Sequence, residues 1–413
     1  MYVVVSEEYL EQLLANREVL GGELFGQMVD GGSVIRLLYF HAVSPAESHA
    51  ASRVTKTLRR TTDNVVVGRW QRGGDITTAQ LQPGQLLLQE EAGQILFYRA
   101  TEEGELVPQA AERLTFYKNY QSRITGLFDT VSLSSKTVAV IGLGTGGSVA
   151  AVELAKAGVG KMRLADFDRL EVHNLVRHVC GIQDLGRYKT HALKDYLLNT
   201  SPFIQVETFD IDVTEDENVL VGLLEGCDLV VGATDSEDAK AAINRVAWRL
   251  KIPAVYGAAY EMGFGGDIFT SQPNDAGLAC YHCFRMATSD IFGEQPHEQI
   301  GDYGSIRPQP ALSMDVGMVT LIMVRAAMGV LLKNDQTTRL HPYPSNWILW
   351  GNQPQPGWIF EEPLQSRFVD VSADPDCPIC GKGASPDLLA ENAELLESLS
   401  EPPVLPPSLS HFG

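Results

Sequence analysis

The chain has 413 residues, enough for two or three domains. Hydrophobic residues make up 44% and charged residues 20%, an ordinary globular balance with ample material for a large core. Asp and Glu number 52 against 32 Lys and Arg, a formal net charge of -20. That excess argues against nucleic acid as the main ligand, because phosphate backbones call for a positive surface. The most apolar long segment, 311–332, carries Asp315 and Arg325. Each costs roughly 2.5–3.5 kcal/mol at mid-membrane, so the segment predicts a buried helix and no membrane partner. The start, Met1-Tyr2-Val3-Val4-Val5-Ser6-Glu7, carries neither a basic region nor a long apolar stretch. It predicts no secretory signal and a cytoplasmic location.

In chain order, residues 1–118 read as an α+β unit. An amphipathic start at 7–14 leads to Gly21-Gly22-Glu23-Leu24-Phe25-Gly26, and then β-like runs at 33–38, 64–68 and 94–98. From Lys136 the pattern changes to alternating strand and helix. Strands are expected at 137–141, 162–165, 228–232 and 253–257, with helices at 148–157, 188–199 and 238–250. Short apolar strands between helices of this length imply an α/β, doubly wound, parallel Rossmann-like sheet. The end, 384–413, is acidic, contains Pro402-Pro403 and Pro406-Pro407, and reads as a solvated tail.

Gly142, Gly144 and Gly147 form G-x-G-x-x-G between the first expected strand and helix. Glycines permit a tight turn and close backbone approach, and the helix N-terminus offers free N–H groups to phosphate. Asp166 stands 24 residues after Gly142, at the end of the next strand, where it can accept from ribose hydroxyls. Alone, this motif fits a nicotinamide or flavin oxidoreductase equally well. The segment from Asp166 to Arg177 (DFDRLEVHNLVR) shifts the balance. It puts carboxylates (Asp166, Asp168), His173, an amide (Asn174) and a guanidinium (Arg177) beside the pocket, with Lys189 opening the next helix and Asp235 following a later strand. Cations with an acid suit a triphosphate and its Mg²⁺, and a dinucleotide needs no such cluster.

The run D-x-D-x-x-E-x-x-N-x-x-R, with Lys189, Thr234-Asp235 and two C-x-x-C pairs in that order, resembles the ThiF/MoeB and ubiquitin-activating adenylation domains over 119–383. The resemblance implies ATP-dependent activation of the C-terminal carboxylate of a ubiquitin-like carrier protein, for a conjugating enzyme, or of a sulfur-carrier protein in cofactor biosynthesis. It implies that the glycine loop holds phosphates, that Asp166 binds ribose, that Asn174, Arg177 and Lys189 grip the triphosphate, and that Asp235 binds Mg²⁺. It also implies a homodimer in which Arg123 reaches the partner's nucleotide. A non-catalytic nucleotide-binding scaffold stays open beside these readings.

The six cysteines include the pairs Cys280/Cys283 and Cys377/Cys380. Four thiolates at this spacing make a closed tetrahedral zinc site, against redox or sulfur-transfer chemistry as the alternative. Ubiquitin-activating relatives carry an acceptor cysteine in a crossing loop. Here 285–312 has none, and Ser305 stands where that cysteine often falls, a candidate for an oxyester. Cys227 and Cys180 are expected to be packing residues. Residues 18–26 and 66–73 faintly resemble the JAMM/MPN fold, but Gln71-Arg72-Gly73 occupies the stretch where its zinc histidines would lie. An inactive accessory domain follows from that likeness.

Overall fold

The computed structural model describes residues 1–15, 17–38, 65–73, 81–115, 120–273, 275, 277–292, 310–354 and 359–381. The chain divides into two compact units, Met1–Thr125 and Gly126–Gly413. Ser305 and the tail 384–413 lie outside the described residues.

The first unit is one mixed sheet with a single α-helix, near its start, and a 3-10 turn at Asp30–Gly32 among the described residues. Its strands are β1 (Tyr2–Ser6), β2 (Gly21–Val29), β3 (Val34–Leu37), β4 (Val65–Arg72), β5 (Leu86–Glu91), β6 (Gln94–Ala100), β7 (Leu106–Pro108) and β8 (Glu112–Leu114), in spatial order β7-β6-β5-β4-β2-β3-β1-β8. Helix α1 (Glu7–Leu14) starts where Ser6 Oγ accepts the Tyr9 N–H at 3.1 Å, with Glu7 and Glu8 in its first turn. Its apolar face buries Tyr9 and Leu10 against Val3, Leu24, Ile35 and Trp70. Gln71 donates to Gln89 Oε1 at 3.3 Å, and Arg72 pairs with Glu90 and donates to the Leu14 carbonyl at 3.0 Å. The two side chains in the JAMM-like stretch therefore brace the sheet.

The second unit contains α2 (Thr130–Ser134), β9 (Thr137–Ile141), α3 (Thr145–Ala157), β10 (Lys161–Ala165), α4 (Lys189–Thr200), β11 (Gln205–Phe209), α5 (Glu217–Leu224) and β12 (Leu229–Gly232). There follow α6 (Glu237–Arg249), β13 (Ala254–Ala259), β14 (Gly265–Ser271), α7 (Tyr281–Phe292), α8 (Ser313–Leu331), β15 (Trp347–Gly351) and β16 (Gln365–Val369). The sheet order is β11-β10-β9-β12-β13-β14-β15-β16. The first five strands are parallel, as a doubly wound fold requires. The expectation of a wholly parallel sheet needs correction, because β14, β15 and β16 pair antiparallel. A short turn at Glu261–Gly263, with Met262 at φ +58°, reverses the chain after β13, too tightly for a helical crossover.

The chain leaves β9 toward β10 and β11, then returns to the other side of β9 at β12. Crevices at such a reversal, beyond the carboxyl ends of the strands, are where α/β sheets bind ligands. Helix α8, which spans the long apolar segment, packs on α3, β13 and β14. Its two charges are held by neighbours. Asp315 accepts from Asn352 Nδ2 at 2.8 Å, and Arg325 lies over the Tyr343 ring and donates to the His341 carbonyl.

Candidate nucleotide pocket and four-cysteine site

The three glycines of the loop have different reasons to be glycine. Gly142 has φ +81°, and a Cβ there would come within 2.7 Å of the Thr234 backbone nitrogen. A Cβ on Gly147 would overlap the Gly142 carbonyl oxygen at 1.8 Å. Those two are demanded by the turn and by helix–strand packing. Gly144, the residue before α3, would meet nothing within 4 Å. The fold leaves its side open, which is the room a phosphate group needs to approach the backbone.

Asp166 follows β10, buried at 9% exposure. Its Oδ2 accepts the Leu143 N–H at 2.6 Å and its Oδ1 accepts the Asp168 N–H at 2.8 Å. Burial pushes its carboxyl above the ordinary range, opposed by the positive charge of Lys189 and by these N–H groups. Each oxygen keeps a lone pair for a ligand hydroxyl. Lys189, the first residue of α4 and also buried, donates to Asp168 Oδ2 at 2.6 Å. Its ammonium has two further N–H donors. Asp166, Asp168 and Lys189 therefore form one network against the glycine loop.

The remaining expected residues are more open. Asn174 Oδ1 accepts the Glu171 N–H at 2.9 Å, closing a capping box around the turn Val172–Asn174. His173 is exposed, with Nδ1 3.3 Å from Glu171 Oε2. Arg177 is half-buried, Asp235 is exposed, and neither side chain has a hydrogen-bond or ion-pair partner among the described residues. Asp235 follows Ala233 and Thr234, the two residues packed against Gly142, and precedes Ser236, whose Oγ caps α6. Arg123 is exposed and belongs to the first unit.

One participant is not legible in the sequence. His178 Nε2 lies 3.0 Å from the Leu143 carbonyl, while its Nδ1 accepts the Cys180 N–H at 3.0 Å. Its signal in the chain is slight, a lone His directly after Arg177. A second network that the sequence does not announce joins α6 to α7. Glu237 accepts from Lys240 at 2.9 Å, from Arg285 at 3.0 Å and from the Tyr281 hydroxyl at 3.0 Å.

All six cysteines are buried. The sulfurs of Cys280, Cys283, Cys377 and Cys380 lie within 4.8 Å of one another, with separations of 4.0, 3.7 and 3.2 Å along three edges. A zinc ion bonded tetrahedrally at about 2.3 Å needs sulfurs roughly 3.8 Å apart, so the four fit it. The Asp374 and Ile379 N–H groups point at Cys283 and Cys377 sulfurs at 3.3 and 3.4 Å, which favours thiolates. Hydrogen bonding among the sulfurs lowers the Cys280 thiol far below its ordinary range and raises those of Cys283 and Cys380. Cys180 and Cys227 lie outside this cluster, and burial pushes Cys180 up to about 12 and raises Cys227, as for packing thiols.

The ThiF family profile matches residues 117–352. The molybdopterin-synthase adenylyltransferase of Salmonella typhimurium is 32% identical over 252 residues, covering 61% of this chain and 89% of that protein. The SAMP-activating enzyme E1 of Haloferax volcanii is 28% identical over 269 residues, covering 64% and 87%. Escherichia coli MccB with ATP matches in structure at a TM-score of 0.49 and 20% identity, over 65% of this chain and 72% of that one. With its glycine loop, acidic strand end and helix-borne lysine inside a profile match that covers more than half of its length, the chain belongs to the ThiF family and is an adenylyltransferase.

Proposed function

We propose that this enzyme uses ATP and Mg²⁺ to adenylate the C-terminal carboxylate of a ubiquitin-like carrier protein. The observation that carries the reading is the crevice at the sheet's reversal. There a braced glycine loop and a buried lysine support the reading, together with an arginine and an aspartate whose side chains have no polar partner among the described residues. In this reading the Gly142–Gly147 turn receives phosphates, Asp166 takes the ribose hydroxyls, and Arg177, Lys189 and Asn174 Nδ2 bind the triphosphate. Asp235 holds Mg²⁺, whose charge is shared with the pyrophosphate.

A carboxylate is a poor electrophile because an oxide would have to leave. Attack of one carboxylate oxygen on the α-phosphorus breaks the bond to the β-phosphate oxygen and releases pyrophosphate. The carrier then holds an acyl–phosphate anhydride with AMP as leaving group. Positioning and charge stabilisation suffice, and no side chain of this enzyme acts as nucleophile in the step. Cys280, Cys283, Cys377 and Cys380 hold a structural zinc ion, tying the start of α7 to the chain after β16.

The named relatives include one enzyme of molybdopterin synthase and one activating SAMP proteins, so a sulfur carrier is the second reading, favoured by the higher identity of the first. The unit Met1–Thr125, which precedes most of the profile match, favours conjugation with a partner conjugating enzyme. An inactive JAMM-like module there would serve carrier or partner binding. A cytoplasmic homodimer with Arg123 acting across the dimer, and an oxyester at Ser305, complete the proposal. The test is pyrophosphate exchange into ATP by the full chain with candidate carriers added singly. Exchange that depends on a carrier with a free C-terminus supports the reading, and reduction of a substrate by NADH without such exchange refutes it.

A further inference from the structure

The glycine loop is gripped from both sides of a single peptide residue. Leu143 donates its N–H to Asp166 Oδ2 at 2.6 Å, and its carbonyl lies 3.0 Å from His178 Nε2. The other ring nitrogen of His178 accepts the Cys180 N–H at 3.0 Å, so the proton sits on Nε2 and Nε2 donates to Leu143. His178 is 9% exposed, whereas Val172 and Val176 in the same segment are 72% and 76% exposed. The Arg177 and His178 N–H groups both reach the Asn174 carbonyl, at 2.9 and 2.8 Å, so 174–178 is one tight turn. That turn buries His178 and leaves Asn174 and Arg177 half-buried.

We propose that His178 is a positioning residue for the triphosphate: its Nε2–H locks the turn bearing Arg177 onto the carbonyl of Leu143 in the phosphate loop. The contact joins two parts of the pocket that are 35 residues apart. It ties the turn that bears Arg177 to the loop, and it keeps the Leu143 peptide from rotating. Preorganised donors need no rearrangement when charge arrives, which is how such sites gain affinity. Burial, together with the nearby Lys189 charge, holds the imidazole neutral by pushing its pKa down to about 4. The ring therefore stays in the tautomer this contact requires at physiological pH.

The inference rests on the proposed nucleotide reading, and its test separates the two. Dissociation constants for Mg·ATP are measured by calorimetry on the full chain and on H178N, H178Q and R177A. Asn retains an acceptor for the Cys180 N–H but is too short to reach Leu143, whereas the Gln amide spans the distance of Nε2. H178N is expected to bind Mg·ATP about tenfold more weakly, the scale of one or two lost hydrogen bonds, and H178Q within about threefold of wild type. Wild-type affinity in H178N, or equal weakening in H178N and H178Q, overturns the inference while R177A still reports on the reading itself. Failure of the wild-type chain to bind Mg·ATP overturns both. H178A replaces H178N if that variant does not fold.

Discussion

The proposed nucleotide pocket has two halves built on different principles. In one half, Leu143, Asp166, Asp168, His178 and Lys189 satisfy one another with hydrogen bonds of 2.6–3.0 Å, mostly out of contact with water. In the other, Arg177 and Asp235 stand half-buried or exposed, without partners among the described residues. Buried polar groups need partners within the protein or they destabilise it, so the first half belongs to the fold as much as to the site. Unpaired charges at the rim cost little while hydrated, and they become valuable when a phosphate or a metal ion displaces the water. The same chemical inventory is thus divided into a rigid cradle and a waiting set of charges.

Removing a waiting charge should have the largest effect on chemistry and almost none on stability. Arg177→Ala and Asp235→Ala are each expected to lower ATP–pyrophosphate exchange by roughly 10²–10³-fold, as for loss of one transition-state-stabilising group. Their melting temperatures should stay within about 2 °C of wild type, since neither side chain makes a polar contact to lose among the described residues. A large drop in stability in either variant would break the division between the two halves.

The four-cysteine site belongs with the part of the molecule that holds the fold. Cys377→Ser with Cys380→Ser should remove one zinc per chain by elemental analysis. The loss of at least about 3 kcal/mol is expected to lower the melting temperature by roughly 10 °C. Zinc-free wild-type protein with unchanged melting would contradict the assignment.

His178 gives a smaller, pH-dependent effect. Its folded pKa lies near 4, below its ordinary value of 6.5. The unfolded chain therefore takes up a proton that the folded chain refuses, and stability falls as pH drops from about 6.5 toward 4. At pH 5 this amounts to about 2 kcal/mol as an order of magnitude. Asp267, buried and pushed up to about 6, works in the opposite direction but equally in both proteins. H178Q should consequently lose less stability than wild type between pH 7 and pH 5. Parallel melting curves would count against a neutral buried ring.

The smallest expected effect tests the open side of the loop. Gly144→Ala should leave melting unchanged, because its Cβ meets nothing within 4 Å. It should weaken Mg·ATP about tenfold by occupying the space phosphate requires. Unaltered affinity would show that the ligand lies elsewhere.

Much of the second unit is legible in the sequence, for local reasons. Thr137–Ile141 is a continuous apolar run, and Gly142 marks a backbone conformation that few other residues adopt. Motif spacing then singles out Asp166 and Lys189. Strand β11, Gln205–Phe209, escapes because an edge strand alternates polar residues and resembles a loop. Strands β14 to β16 escape because their direction follows from pairings such as Asp267 with Leu349, which no local pattern announces. Helix α3 begins at Thr145, inside the glycine motif, three residues before the apolar pattern becomes clear. His178 stays hidden for the same physical reason as β14: its role is a contact with a backbone carbonyl 35 residues away. A backbone acceptor leaves no trace in the identity of the residue that carries it.

In the proposed function this crevice binds a nucleoside triphosphate with its magnesium. Calorimetric titration of the full chain with Mg·ATP, and separately with NADH, tests it most directly. Saturable Mg·ATP binding that weakens in Arg177→Ala and Asp235→Ala is expected, with no detectable NADH binding. Saturable NADH binding that is insensitive to both substitutions, alongside an absence of Mg·ATP binding, would contradict it.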